Sequence, residues 1–273
     1  MSNFKPTGLI ILIAGSFFFA SCEKVINVDL NNAAKKYVIE GIVSDKAGQS
    51  KVLLSTTKNF DENNSFVGVS GASVTVTDNL GNVTTFMETA TGIYSAPALV
   101  AISGKTYSLN VVANGNTFTA VSTMPQKMII DTVFASDELL FGSATKLVNY
   151  AYQDPIGKGN GLRFVEYING LQVKTIFLRD DDYTDGNYVQ SKLWYMADDN
   201  DDKFKIKQGD KVDVDIFCIS PDVYKYWFSL EQSATGASQS ASPANPVSNI
   251  KGGGGALGYF SAQTYQTKSF IVP

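Results

Sequence analysis

The chain has no histidine in 273 residues. That excludes a Ser-His-Asp triad, a Cys-His pair, and any zinc or haem site that depends on imidazole. It has two cysteines, Cys22 and Cys218, too few for a disulfide framework. It has no excess of positive charge: the formal net charge is −4, which argues against nucleic acid or anionic lipid as the partner. It also lacks an apolar run long enough to cross a bilayer, which takes roughly 18–20 residues. The most apolar stretch, Leu9 to Ala20, is about a dozen. Long helical patterns are missing too. Gly, Thr, Ser, Val, Tyr and Phe are plentiful, which points to a β-rich class.

What is present begins with a leader. Lys5 and the free amino terminus give a weakly positive region, and Leu9 to Ala20 suits the apolar core of a signal peptide. The segment ends Phe19-Ala20-Ser21-Cys22. Small residues just before a cysteine resemble a bacterial lipobox, with Phe19 where Leu or Val is usual. The resemblance implies cleavage after residue 21 and diacylation of Cys22; an ordinary secretory signal cut at the same bond is the alternative. There is no twin arginine, so export through the general pathway is expected. Two or three acyl chains on one cysteine hold a protein to a membrane far better than one. The expected organisation is therefore a signal peptide over 1–21, a lipidated tether over 22–36, and a body attached to a membrane. Glu23 is followed by Lys24 and no acidic run, so the periplasmic and cell-surface faces both stay open. An acylated Cys22 leaves Cys218 without an intramolecular partner. Its setting, Val212 to Cys218, reads as a strand with a buried structural thiol.

From Tyr37 the pattern is of short strands. Ala72-Ser73-Val74-Thr75-Val76-Thr77-Asp78 alternates strictly, which sets Val74 and Val76 toward a core. Asn79 to Asn82, Thr91-Gly92 and Asn114-Gly115-Asn116 are turns, the last of a common hairpin type. Turns every 8–12 residues or so indicate a β-sandwich. Pro125 stops the last of these strands, so 37–125 is expected to be one domain and 126–273 a second, β-rich one. The second carries one helix near 221–233: Ser220 is a good N-cap, Pro221 fits the first helical position, and Val223, Tyr226, Trp227 and Leu230 mark one apolar face. The Gly252–Gly255 run lacks the helix and Lys-Ser/Thr that a phosphate-cradling loop needs.

The residues Gly71-Ala72-x-Val74-x-Val76-x-Asp78, Gly81, Thr91-Gly92-x-Tyr94 and Gly104-x-x-Tyr107-x-Leu109 resemble the immunoglobulin-like sandwich of the transthyretin-like, carboxypeptidase-regulatory type. Cys22-Glu23, the sandwich pattern, and the segment from Asn245-Pro246 to Gly258-Tyr259-Phe260 resemble the Bacteroidota lipoproteins grouped as domain-of-unknown-function family 4249. Leu257-Gly258-Tyr259-Phe260 is the most specific part. The resemblance implies an outer-membrane lipoprotein, often encoded beside TonB-dependent receptors, and carries no catalytic residues.

Two acidic clusters are the candidate sites. Asp180, Asp181, Asp182 and Asp185 form one; Asp198, Asp199, Asp201 and Asp202 form the other. Calcium takes six to eight oxygens or so from carboxylates and carbonyls, and such loops can supply them, singly or jointly. Solvated loops are the plain alternative. The first cluster is no EF-hand, because Tyr183 and Lys192 stand where acidic ligands belong. Paired carboxylates flanked by Tyr183, Tyr188, Trp194 and Tyr195 also suit sugar binding or glycoside hydrolysis. No catalytic motif is present and no cofactor other than calcium is implied. The expected function is non-enzymatic: a binding or accessory component for a TonB-dependent receptor. A carboxylate-dependent extracytoplasmic hydrolase and an adhesin or matrix component are the alternatives.

Overall fold

A computed structural model describes residues 34–59, 62–63, 65–140, 142–159, 161–195, 202–235 and 245–273. Among the described residues the protein is mainly β with one α-helix. The strands are β1 (Tyr37–Ser44), β2 (Lys51–Thr56), β3 (Ser73–Asp78), β4 (Val83–Ala90), β5 (Ile93–Ser95), β6 (Thr106–Ala113) and β7 (Asn116–Thr123). Then come β8 (Ile130–Leu140), β9 (Ser143–Gln153), β10 (Gly161–Ile168), β11 (Leu171–Gln172), β12 (Phe177–Arg179) and β13 (Tyr188–Lys192). After β14 (Lys211–Ile219) the helix α1 (Pro221–Thr235) follows, and β15 (Lys251–Gly252), β16 (Leu257–Gln263) and β17 (Gln266–Ile271) close the chain.

Nine strands form one sheet in the order β15-β7-β6-β3-β4-β5-β2-β1-β16. The sheet curls at β4, which pairs with β3 through Val83–Phe86 and with β5 through Met87–Ala90, with a register shift between Glu88 and Ala90. Its two halves therefore face each other across one core, as in a sandwich. Ile39, Val52 and Leu54 from one half meet Val74, Val76, Leu109 and Phe118 from the other, all at most 2% exposed. The expected alternation is the cause: Val74 and Val76 of β3 and every second residue of β6 are buried. Asn114 (φ 48°) and Gly115 (φ 77°) make the hairpin between β6 and β7, the left-handed pair that a two-residue turn requires.

A second core lies beside a five-stranded sheet (β11-β10-β14-β17, with β12 on β10) and a three-stranded one (β13-β9-β8). It is filled by Leu147, Tyr150, Phe164, Val212, Val214 and Ile216. Helix α1 begins as expected, with Tyr224 N donating to Ser220 O at 2.9 Å. It packs Val223 and Tyr226 with Ile219 and Tyr259 in a third, smaller cluster.

The carboxy-terminal segment does not stay with the second core. β16 pairs in parallel with β1, from Val38 opposite Leu257 to Ser44 opposite Gln263, and Ile250, Ala256, Phe260 and Ala262 belong to the first core. Residues Lys35–Lys58 and Glu62–Pro273 accordingly form one compact unit. Met124 packs in the first core and Met128 in the second. A pairing that spans more than two hundred residues leaves no local mark, which is why the sequence pattern placed 257–263 with its neighbours.

The Leu257-Gly258-Tyr259-Phe260 motif is explained by this return. Gly258 has φ 96°, and a β-carbon there would overlap the Ile39 carbonyl oxygen. Tyr259 points to α1, with ring centroids 4.8 Å from Tyr226 and 5.3 Å from Trp227, while Phe260 is fully buried in the first core. The glycine run serves packing as well: a β-carbon on Gly253 would run into the ring of Phe118.

Candidate functional site

The structure gives the acids of the first cluster separate partners and describes Asp202 alone of the second. Asp202 belongs to its own lysines, with Lys205 Nζ at 3.1 Å and Lys207 Nζ at 3.5 Å. Those contacts hold its carboxyl below the usual range. Asp198, Asp199 and Asp201 lie outside the described residues, as does Cys22. In the first cluster Asp180 Oδ2 accepts from the Tyr224 hydroxyl of α1 at 3.1 Å, and the carbonyl of Asp182 accepts from Lys158 Nζ at 3.4 Å. Asp185 Oδ1 accepts from Gly157 N at 2.7 Å, and Asp181 Oδ1 from Gly159 N at 3.1 Å. Asp181 is buried, 3% exposed.

Sequence reasoning missed the residue these loops surround. Asp154 follows β9, is 1% exposed, and accepts from the Thr184 hydroxyl at 2.7 Å through Oδ2. Its Oδ1 is buried without a hydrogen-bond partner. Burial raises its pKa, and the charges of Asp181 and Asp185 raise it further. The only local signal was Asp154-Pro155 at the mouth of a glycine-rich loop, a turn signal first. Among the described residues no group of three or more Asp, Glu, Cys or His side chains is arranged to hold a metal ion.

A second missed acid is Glu166, in the middle of β10. It shares a strand face with Leu162, Phe164 and Ile168, is fully buried, and neither carboxylate oxygen has a partner. Desolvation pushes its pKa up to about 8. That is the pKa of a general acid, but substrate cannot reach a carboxyl at zero exposure among apolar side chains. Cys218 is likewise inert: it is fully buried, its sulfur accepts from Met128 N at 3.2 Å, and burial raises its thiol pKa.

On the opposite face of β10 the guanidinium of Arg163 lies 3.9 Å from the Trp227 ring centroid and 5.4 Å from that of Phe217. Burial lowers its pKa, while Tyr259, Tyr167, Glu40 and Asp215 act the other way. Stacking of this kind contributes about 0.5–2 kcal/mol. It ties α1 to the sheet beneath it, so the aromatic helix face packs rather than forming an open groove.

The accessible feature is the outer face of the curled sheet. Register sets Val83, Thr77, Ser108 and Val121 in one cross-strand row, Thr85, Thr75, Asn110 and Thr119 in the next, and Ser73, Val112 and Thr117 in a third, with Met87 beyond Thr85 on β4. None of these residues carries a charge. Val83 is 63% exposed, Met87 67% and Val121 55%. Beside Val121 a shallow groove of about 310 Å³ separates β7 from the start of α1, lined also by Asp222, Lys225, Val247, Asn249 and Lys251. Among the described residues Asp222 is its one carboxylate, with no second acid to make the pair that glycoside hydrolysis uses.

The family model for a domain of unknown function, DUF4249, matches residues 23–269. The chain belongs to this family. The DUF4249 match takes in α1 and every strand except the last two residues of β17, including the Leu257–Phe260 return. No curated protein matches the sequence. Among the described residues no helix is long and apolar enough to cross a membrane.

Proposed function

We propose that this DUF4249 protein is a Bacteroidota cell-envelope lipoprotein, anchored to the outer membrane through acylated Cys22. It works without catalysis, as a binding or accessory component of a TonB-dependent uptake receptor. The observation that carries the binding part is the uncharged, solvent-exposed face of β4, β3, β6 and β7. A sheet face that buries apolar side chains on one side usually presents charge on the other. Here exposed Val83, Met87, Val112 and Val121 stand among threonines, serine and asparagine. Such a face can be covered without stripping water from an ion, the feature of protein-contact cores. The acids that would serve a hydrolase are elsewhere: Glu166 is sealed in a core, and Asp202 is held by lysines. The anchor reading rests on Phe19-Ala20-Ser21-Cys22 and the receptor on the family resemblance.

The test is a pull-down from detergent-solubilised envelopes with the anchor intact. Recovery of an integral outer-membrane receptor is expected; a polymer, or no membrane partner, contradicts the reading. Cys22→Ser should give a soluble or uncleaved chain, and unchanged mass with unchanged membrane retention would refute the anchor.

A further inference from the structure

We propose that Asp154 and Asp181, with the Thr184 hydroxyl and backbone carbonyls of the 181–186 turn, form a binding site for a hard divalent cation of the calcium class. Three observations converge. First, two carboxylates that are 1% and 3% exposed come from separate segments, one following β9 and one following β12, onto the same turn. Burying a carboxylate such as Asp154 is costly unless a positive charge or a full set of donors accompanies it. Second, among the described residues no positive charge acts on Asp154. The groups acting on its ionisation, beyond burial and the Thr184 hydroxyl, are the like charges of Asp181 and Asp185. The Lys158 ammonium reaches the Asp182 carbonyl instead. Third, Asp154 Oδ1 is a buried carboxylate oxygen with no hydrogen-bond donor, while Oδ2 is fixed against the turn by Thr184. A half-satisfied buried carboxylate acted on by two further carboxylates is a cation ligand by its chemistry.

The donor set favours calcium over magnesium or a transition metal. Every group is oxygen, the chain has no histidine, and the Cys218 sulfur is engaged by the Met128 amide. The site does not gather three acidic side chains. A cation there takes two carboxylates and completes its shell with neutral oxygens and water. Calcium accepts six to eight oxygens or so in irregular geometry, whereas magnesium demands an octahedron. The turn is ordered by its own bonds, Thr184 N to Asp181 O at 3.2 Å and Asn187 N to Thr184 O at 2.8 Å. The adjoining Ile156 and Gly157 segment is open to solvent and gives entry. Tyr152, two residues before Asp154, is close enough for the Asp154 charge to act on its hydroxyl.

The experiment uses the full-length protein in detergent, stripped with EDTA. Terbium luminescence excited through tyrosine and thermal unfolding with added calcium chloride are measured on wild type, Asp154→Asn, Asp181→Asn and Asp202→Asn. Weak extracellular calcium modules bind at about 10⁻⁴–10⁻³ M, so the titration runs to about ten times the upper figure. Wild type and Asp202→Asn should give saturable terbium emission, displaced by calcium more strongly than by magnesium, and a rise in Tm with calcium. Asp154→Asn and Asp181→Asn should lose the emission and the calcium-dependent rise. Asp154→Asn should also have a higher Tm than wild type in EDTA, because a buried charge is gone; a variant that merely fails to fold cannot show that. No emission and no shift in wild type would overturn the proposal. So would emission kept in both Asp154→Asn and Asp181→Asn, or lost in Asp202→Asn.

Discussion

Gly258 of β16 runs directly beside Ile39 of β1, in parallel register, so closely that no β-carbon fits between Gly258 and the Ile39 carbonyl. This contact fastens the carboxy-terminal strand to the first strand of the curled sheet. Gly258→Ala meets both a positive φ and a backbone overlap. Each such strain costs about 1–3 kcal/mol, so the denaturant midpoint should fall markedly and β16 should lose amide protection first. A loss below about 0.5 kcal/mol would show that the return strand is not held there.

Glu166 makes stability depend on pH in a direction opposite to that of a paired carboxylate. Its ordinary pKa is 4.5 and its folded pKa is about 8, so between those values the folded state binds the proton and the unfolded state does not. Stability is therefore full below the ordinary value and falls as pH rises toward the folded one. The slope is at most about 1.4 kcal/mol per pH unit. Glu166→Gln should flatten this part of the Tm profile and stabilise the protein at the alkaline end. A wild-type profile that is flat or rising over that window would contradict the burial of an uncompensated acid.

Cys218 should be silent in the native protein. Its sulfur is fully buried and occupied by the Met128 amide. With Cys22 acylated, Ellman's reagent should find no thiol before unfolding and one after. Rapid labelling of the native chain would mean that the strand holding Cys218 opens readily, or that Cys22 carries no lipid.

Much of the architecture was legible because it is local. The alternation of Val74 and Val76, the Asn114-Gly115 hairpin and the Ser220-Pro221 start of α1 are each written within a few residues, and each appears in the structure. The β16–β1 pairing was not, since it joins segments far apart in the chain. Of the acidic residues, the runs at Asp180–Asp182 and Asp198–Asp202 drew attention by density alone. Yet density of charge marks solvated loops as readily as sites, and Asp202 proved to be tied to lysines. The informative acids, Asp154 and Glu166, are single residues in apolar or turn contexts. What distinguishes them is a buried carboxylate oxygen with no hydrogen-bond partner, which only three-dimensional neighbours reveal. The uncharged outer face was similarly hidden: its residues are spread over four strands, and only their register makes them one surface.

That surface carries the functional account, and a photo-crosslinking probe at Val112 in the anchored, full-length protein tests it most directly. Val112 lies in the uncharged row between Ser73 and Thr117. A matching probe at Leu139, which is 76% exposed near the end of β8, serves as the control. The account predicts an adduct with an integral outer-membrane protein from Val112, absent from Leu139 and abolished when Thr75→Lys places a charge in the neighbouring row. No adduct at Val112, or equal capture at both positions, would contradict it.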